Sequence, residues 1–142
     1  MSTTDLTEDL IRRVVFGFYD KVRADPELAP VFDAVIAPGD WPAHLDRMCD
    51  FWSSVLLRTG RYSGRPMPKH LALPDLGDAH FHRWLGLFRE TVRTMCPPAV
   101  ADLFLDRALN IAQAFRLQLA IREGRDAVAV QPIREIDLVT EA

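Results

Sequence analysis

A short proline-rich segment, residues 66–74 (PMPKHLALP), interrupts the helical pattern of this chain and contains one histidine, His70. Proline fixes the backbone angle φ, lacks an N–H group and restricts the residue before it, so no long helix can run through this segment. The imidazole of His70 is therefore presented from a short, stiff and mostly apolar connection. The helical pattern returns directly downstream, at residues 80–88.

Apolar residues recur at helical spacing through most of the chain and predict four principal helices and one short helical piece. We expect Asp5 to cap the first helix, with Glu8 three residues later as its capping-box partner. The segments predicted as helical cover about 6–24, 26–33, 40–57, 75–95 and 98–122. Because no strong strand signal precedes residue 125, the sequence predicts an all-α fold.

The length of 142 residues and the hydrophobic fraction of 49% are typical of one packed globular domain. The helical pattern ends at Gly124, and only weak alternation of apolar residues follows it. We therefore expect residues 125–142 to form a C-terminal extension that is loosely packed or disordered.

Charge and cysteine usage exclude several classes of partner and compartment. The formal net charge is −3 and no basic stripe is present, so nucleic acid is not an expected partner. Cys49 and Cys96 lie far apart and form no CxxC pair, which indicates free thiols in a reducing compartment. No apolar run reaches the ~18 residues of a membrane span, and no signal peptide is evident. The sequence predicts a cytoplasmic protein without a membrane partner.

Four side chains with metal-binding or hydrogen-bonding groups indicate a common pocket: His70, His44, Tyr19 and Trp84. His44 lies on an apolar stripe of the second principal helix, whereas Tyr19 and Trp84 lie on the inward faces of the first and third. Taken singly, each has a structural explanation, because buried aromatic residues are common in cores. A helical non-haem binding or sensor module, whose aromatic residues are only core, therefore remains an alternative.

A histidine and cysteine metal enzyme is a second alternative. Structural zinc sites use about four nitrogen or sulfur ligands, usually at short local spacing. The histidines and cysteines of this chain have no such spacing, so a zinc enzyme is the less favoured hypothesis.

The order of these residues resembles the truncated globins, most closely group III of that family. The resemblance rests on Phe18-Tyr19, His44, Phe51-Trp52, the motif YSGRP at 62–66, His70, and HFHRWL at 80–85. It spans about residues 8–122, which implies a globin domain at 1–124 followed by the extension. The family has an all-α fold, a two-over-two helical sandwich around one haem b.

The resemblance also implies a role for each candidate residue. His70 looks like the proximal iron ligand, since a rigid histidine against an apolar wall suits haem iron. The distal, ligand-stabilising set is Tyr19, His44 and Trp84. Three groups complete the implied haem site: Met48 and Phe51 lining the distal pocket, Arg47 and Lys69 near the haem propionates, and Tyr62 as a weaker propionate candidate. For His44, a gate or pocket role and a role as sixth iron ligand both remain open.

The implied function is the binding of dioxygen, nitric oxide and other diatomic ligands. Hydrogen bonds from Tyr19 and Trp84 are expected to slow oxygen release, which suits redox chemistry or sensing better than oxygen delivery. Nitric oxide detoxification, peroxidase-like chemistry and ligand sensing are all consistent with the resemblance. The redox reactions require an unidentified reductase, and whether the protein acts as an enzyme stays open at this stage.

Overall fold

The computed structural model describes residues 6–62 and 77–139. The helices in these ranges are α1 (Glu8–Ala24), α2 (Ala29–Asp33), α3 (Trp41–Leu57), α4 (Asp78–Met95), α5 (Pro98–Arg122) and α6 (Glu135–Val139), with short 3₁₀ turns at Pro38–Asp40 and Ala127–Ala129. Neither described range contains a strand, and the predicted all-α class is confirmed. None of these helices is both long enough and apolar enough to cross a membrane.

The first helix begins at Glu8, and Thr7 is its N-cap. The Thr7 hydroxyl accepts a hydrogen bond from the Leu10 backbone N–H at 3.1 Å, which satisfies one of the free donors of the first turn. Asp5, the predicted cap, lies outside the described residues. The N-cap is therefore Thr7 and not Asp5. The capping interaction is of the same kind, because threonine and aspartate both supply a side-chain oxygen.

The principal helices pack as two pairs. α1 lies against α3, α4 lies against α5, and contacts between α1 and α4 join the pairs. Phe88 of α4 is central, since its ring stacks with Trp52 at 5.2 Å between centroids and with Trp84 at 5.9 Å. The stack of Trp52 on Phe88 packs α3 against α4. These aromatic rings also lie next to α1 and α5, through the contacts of Phe18 with Phe88 and of Phe104 with Trp52.

The extension is more closely packed than its weak sequence pattern suggested. Ile133 and Leu138 are buried, and α6 lies against α4. Glu135 accepts hydrogen bonds from Arg89 at 2.7 Å and from Arg93 at 2.9 Å. Apolar burial and a paired carboxylate therefore fix residues 133–138, although the domain boundary at residue 124 remains a prediction.

Arg116 connects α5 to the start of α4 and to the extension. Its side chain is only 7% exposed. The guanidinium donates to Asp78 at 3.1 Å and to the Gln131 carbonyl at 2.7 Å. A buried guanidinium needs several acceptors because desolvation is costly, and here Asp78 of α4, Gln131 of the extension and Gln113 of α5 supply them.

Asp25 forms a buried polar junction where α1 ends. Its carboxylate accepts hydrogen bonds from the Leu28 N–H at 2.9 Å, the Glu27 N–H at 3.1 Å and Arg83 Nε at 2.6 Å. Burial by itself raises the pKa of Asp25, but the Arg83 guanidinium and these two N–H groups outweigh burial and hold the pKa below its usual range. The carboxylate thus stabilises the turn from α1 into α2 in its charged form.

We expect Asp25→Ala to lower the free energy of unfolding by about 2 kcal/mol at neutral pH, because it leaves a buried N–H group without an acceptor. Urea titrations of wild type and variant measure this difference. Because folding depresses the Asp25 pKa, its contribution is full above the unfolded value of about 3.9 and is lost as pH falls through the folded value. The gap between the two proteins should therefore narrow below about pH 4.

Arg83→Ala is the matched control for that junction. The Arg83 side chain is 48% exposed, so its removal should cost at most about 1 kcal/mol after solvent screening. An equal loss of stability in the two variants would show that Asp25 stabilises the protein through its ion pair with Arg83 and not through the backbone hydrogen bonds.

Candidate functional site

Four helices meet around a small internal cavity of about 30 Å³. A water molecule needs about 10–15 Å³ of such space, so the cavity accommodates only a very small molecule. The lining residues are Phe18, Tyr19, Met48, Phe51, Trp52, Trp84, Ile111 and Phe115. Five of these eight side chains have no hydrogen-bond donor, and the other three, Tyr19, Trp52 and Trp84, carry a phenol hydroxyl or an indole N–H.

Tyr19 reaches the cavity from α1. Its side chain is buried, and its ring packs edge-to-face against Phe18 at 4.9 Å and Phe32 at 6.0 Å. Burial raises the pKa of the Tyr19 phenol far above its ordinary value. The phenol therefore stays protonated at neutral pH and can donate a hydrogen bond into the cavity.

Trp84 reaches the same cavity from α4. Its ring is half-buried, stacks on Phe88, and meets Phe18 edge-on at 5.5 Å. Because Phe18 contacts both Tyr19 and Trp84, the two donors are held against one shared aromatic ring. The structure thus brings together two of the three residues that sequence reasoning placed in a distal set.

Met48 and Phe51, which the resemblance placed at the distal pocket, line the cavity from α3. Tyr62 lies one ring further out, with its ring 5.3 Å from that of Phe51. Its backbone N–H donates to Ser54 Oγ at 2.8 Å, which ties the chain back onto α3. Tyr62 therefore borders the cavity wall. Arg47, a predicted propionate partner on the same helix as Met48, is exposed on the surface of α3.

His44 lies beside the cavity and contacts its wall through Tyr19. The imidazole is half-buried on α3, and its ring is 5.2 Å from that of Tyr19 and 5.4 Å from that of Trp41. Both contacts are nearly perpendicular, at 86° and 88°. His70 and Lys69, the predicted proximal ligand and propionate partner, lie outside the described residues.

Sequence reasoning missed several residues of this site. Ile111 and Phe115 line the cavity from α5, and their spacing of four residues on one helical face could have indicated a shared surface. Phe18 and Trp52 contributed to the resemblance but were given no role in the site, and both line the cavity. Trp41 was given no role, although its spacing of three residues from His44 on α3 could have indicated their contact.

The described ranges also bear on the metal-enzyme alternative. Within residues 6–62 and 77–139, no group of three or more histidine, cysteine, aspartate or glutamate side chains is arranged to hold a metal ion. Burial raises the pKa of the Cys49 and Cys96 thiols, which disfavours the thiolate that metal binding or nucleophilic attack requires. This part of the chain gives the zinc hypothesis no support.

The chain is similar to known proteins both in sequence and in structure. The chain is 34% identical over 121 residues to the group 3 truncated hemoglobin ctb of Campylobacter jejuni, which covers 84% of this chain and 95% of that protein. The crystal structure of group III truncated hemoglobin from Campylobacter jejuni superposes with a TM-score of 0.78 at 33% identity, with the same coverage of each chain. No protein-family model matches the chain.

Proposed function

The chain belongs to the group 3 truncated haemoglobins, and on that basis we propose that it binds haem b together with small diatomic ligands such as dioxygen and nitric oxide. A bound haem supplies an iron atom that takes up such ligands and changes oxidation state. In this proposal His70 would hold the haem iron as its proximal ligand, and Tyr19 and Trp84 would donate hydrogen bonds to the bound diatomic ligand.

The observation that carries the proposal is a buried, protonated phenol at a small apolar cavity. Tyr19 and Trp84, whose side chains each carry a hydrogen-bond donor, line a space of about 30 Å³ together with apolar side chains. A diatomic ligand that gains negative charge is a strong acceptor, and a hydrogen bond to a charged acceptor contributes about 1.5–3 kcal/mol. The cavity is therefore suited to retaining a small polar ligand.

The residues that surround the cavity also fit a flat, apolar cofactor. Met48, Phe51 and Val55 follow one stripe of α3 at helical spacing, yet all three are only half-buried. Trp84 and Ile111 extend this half-buried apolar surface on α4 and α5. An apolar surface of this kind gains free energy when an apolar group covers it, since burial contributes about 25 cal/mol per Å².

Cations at the rim complete the proposed haem site. Arg47 is exposed on α3 beside Met48, which suits a side chain that pairs with a haem propionate at the surface. We assign the same role to Lys69, one residue before His70 in the sequence. Tyr62 is the weaker candidate, since its ring packs against Phe51 at the cavity wall.

Two donors at one ligand favour retention over rapid release. Retention suits reactions in which the ligand is converted or sensed, and it opposes efficient oxygen delivery. We therefore favour nitric oxide oxidation or peroxidase-like chemistry in the cytoplasm, with an unidentified reductase supplying electrons. Ligand sensing uses the same stabilised state without turnover.

The purified protein is expected to take up hemin in a one-to-one ratio and to develop a Soret band. The pyridine haemochromogen spectrum should then identify the group as haem b. A colourless protein that takes up no added hemin contradicts the proposal, and zinc without iron in elemental analysis would support the metal-enzyme alternative. A protein with neither cofactor would support the non-haem helical module.

A further inference from the structure

We propose that Trp41 is a positioning residue for His44, and that Arg23 fixes Trp41 from the surface. Trp41 begins α3, one turn before His44, and its side chain is 2% exposed. This inference rests on the proposed function only in its consequence for ligand access. The positioning itself is a property of the protein and can be measured without haem.

The imidazole of His44 lies against two aromatic rings at right angles. Its ring is 5.4 Å from that of Trp41 with an interplanar angle of 88°, and 5.2 Å from that of Tyr19 with an angle of 86°. Edge-to-face contacts at these distances are favourable and depend on orientation. Rotation of the imidazole about its side-chain bonds therefore requires either loss of these contacts or movement of the neighbouring rings.

Trp41 is itself held by residues from two other helices. The Arg23 guanidinium carbon lies 4.6 Å from the centre of the Trp41 ring, in a cation–π contact from α1. Phe32 of α2 and Tyr19 of α1 pack on the ring at 6.4 Å and 5.9 Å. Because a close-packed ring cannot change rotamer without a cavity to enter, Trp41 presents a fixed surface to His44.

This arrangement has a consequence for the cavity. His44 is half-buried and its ring contacts that of Tyr19, which is buried and lines the cavity, so His44 is the more solvent-exposed of these two neighbours. A restrained imidazole limits how often this side of the cavity opens and also supports the orientation of Tyr19. Variants that weaken the packing of Trp41 should therefore make ligand entry faster. The cause would be a less restrained His44 imidazole and not a general loss of packing.

The first experiment follows the His44 ring signals by NMR in the protein as purified, with assignment from the His44→Gln spectrum. We expect Arg23→Ala and Trp41→Leu to shift and broaden these signals, because the ring-current field and the restraint both change. Trp41→Phe keeps an aromatic ring and should give an intermediate shift. Arg23 is exposed, so its variant leaves the core intact if Trp41→Leu fails to fold.

Arg12→Ala is the matched control for Arg23→Ala. Arg12 is also on α1 and lies 4.7 Å over an aromatic ring, but that ring is Phe16, which is not one of the rings in contact with His44. Arg12 also pairs with Asp46 of α3 at 3.2 Å, but this exposed contact involves neither of the rings that contact His44. The His44 signals should therefore shift less in this variant than in Arg23→Ala. If Arg12→Ala shifts them as much as Arg23→Ala does, or if Trp41 variants leave them in place, the positioning role is wrong.

The second experiment measures carbon monoxide association with the reduced, haem-loaded protein. Arg23→Ala should raise the rate about two- to fivefold, which corresponds to loss of one exposed cation–π contact. In a His44→Ala background the Arg23 and Trp41 variants should have no further effect. Equal acceleration with and without His44 would overturn the proposal, because it would show a merely structural role.

These two readouts separate the failure of this inference from failure of the proposed function. If the protein takes up no hemin but the His44 signals respond to Trp41 and Arg23, the haem function fails and the positioning stands. If hemin binds and the His44 signals do not respond, the haem function stands and the positioning fails.

Discussion

Replacing His70 with alanine is expected to abolish stable haem binding. In the proposed site His70 supplies the coordinate bond between the protein and the iron, whereas the other contacts to the haem are apolar or lie at the rim. Removing a residue that only orients a metal ligand typically lowers metal affinity by about 10- to 100-fold. Removing the ligand itself should therefore lower haem affinity by more than that. The transfer of hemin from the variant to apomyoglobin measures the change.

His82→Ala is the matched control for this prediction. His82 is exposed on α4, and its removal should leave the rate of hemin transfer unchanged. His70→Gly provides a second test, since added imidazole should enter the space left by the side chain and restore the absorption spectrum. Undiminished haem retention in His70→Ala would exclude His70 as the proximal ligand and would direct the search to another residue, including His44.

Replacing Tyr19 with phenylalanine is expected to keep the haem and to accelerate oxygen dissociation by about 10- to 100-fold. The factor follows from losing one hydrogen bond to a charged acceptor, which is worth about 1.5–3 kcal/mol. The change removes the buried hydroxyl and retains the ring that contacts Phe18, Phe32 and His44. Stopped-flow displacement of oxygen by carbon monoxide measures the rate.

The chain offers a matched control because it contains two tyrosines. Tyr62 packs on Phe51 one ring outside the cavity, so Tyr62→Phe should leave oxygen dissociation within about twofold of wild type. Trp84→Phe should accelerate dissociation in its own right, since it removes the second donor. If Tyr19→Phe dissociates oxygen at the wild-type rate, the hydrogen-bonding role given to this phenol is wrong.

The helix boundaries were largely predictable because they depend on local chemistry. The second principal helix was expected at about 40–57 and is found at Trp41–Leu57, with Pro42 in its first turn. The end of α5 near Gly124 was also predicted. Gly124 has a φ of 74°, which glycine adopts without the steric cost that other residues incur.

The candidate site was predictable in its residue types but only partly in its arrangement. The sequence predicted a common pocket for His70, His44, Tyr19 and Trp84, and the resemblance to truncated globins added Met48 and Phe51. Of these, Tyr19, Trp84, Met48 and Phe51 line one cavity. Ile111 and Phe115 were not anticipated, since α5 contributes its side chains from a distant part of the chain. The packing of residues 133–138 was also missed, because a short amphipathic segment gives a weak periodic signal.

The sequence by itself determined the helical class, the approximate helices and the group of aromatic and histidine side chains available for a pocket. These follow from periodicity, proline and glycine, which act over a few residues. Only the tertiary structure decided that Tyr19 of α1 packs against both Trp41 and His44 and that Arg116 joins Asp78 to Gln131. Such contacts depend on the angles and distances between packed helices, and no local pattern encodes that geometry.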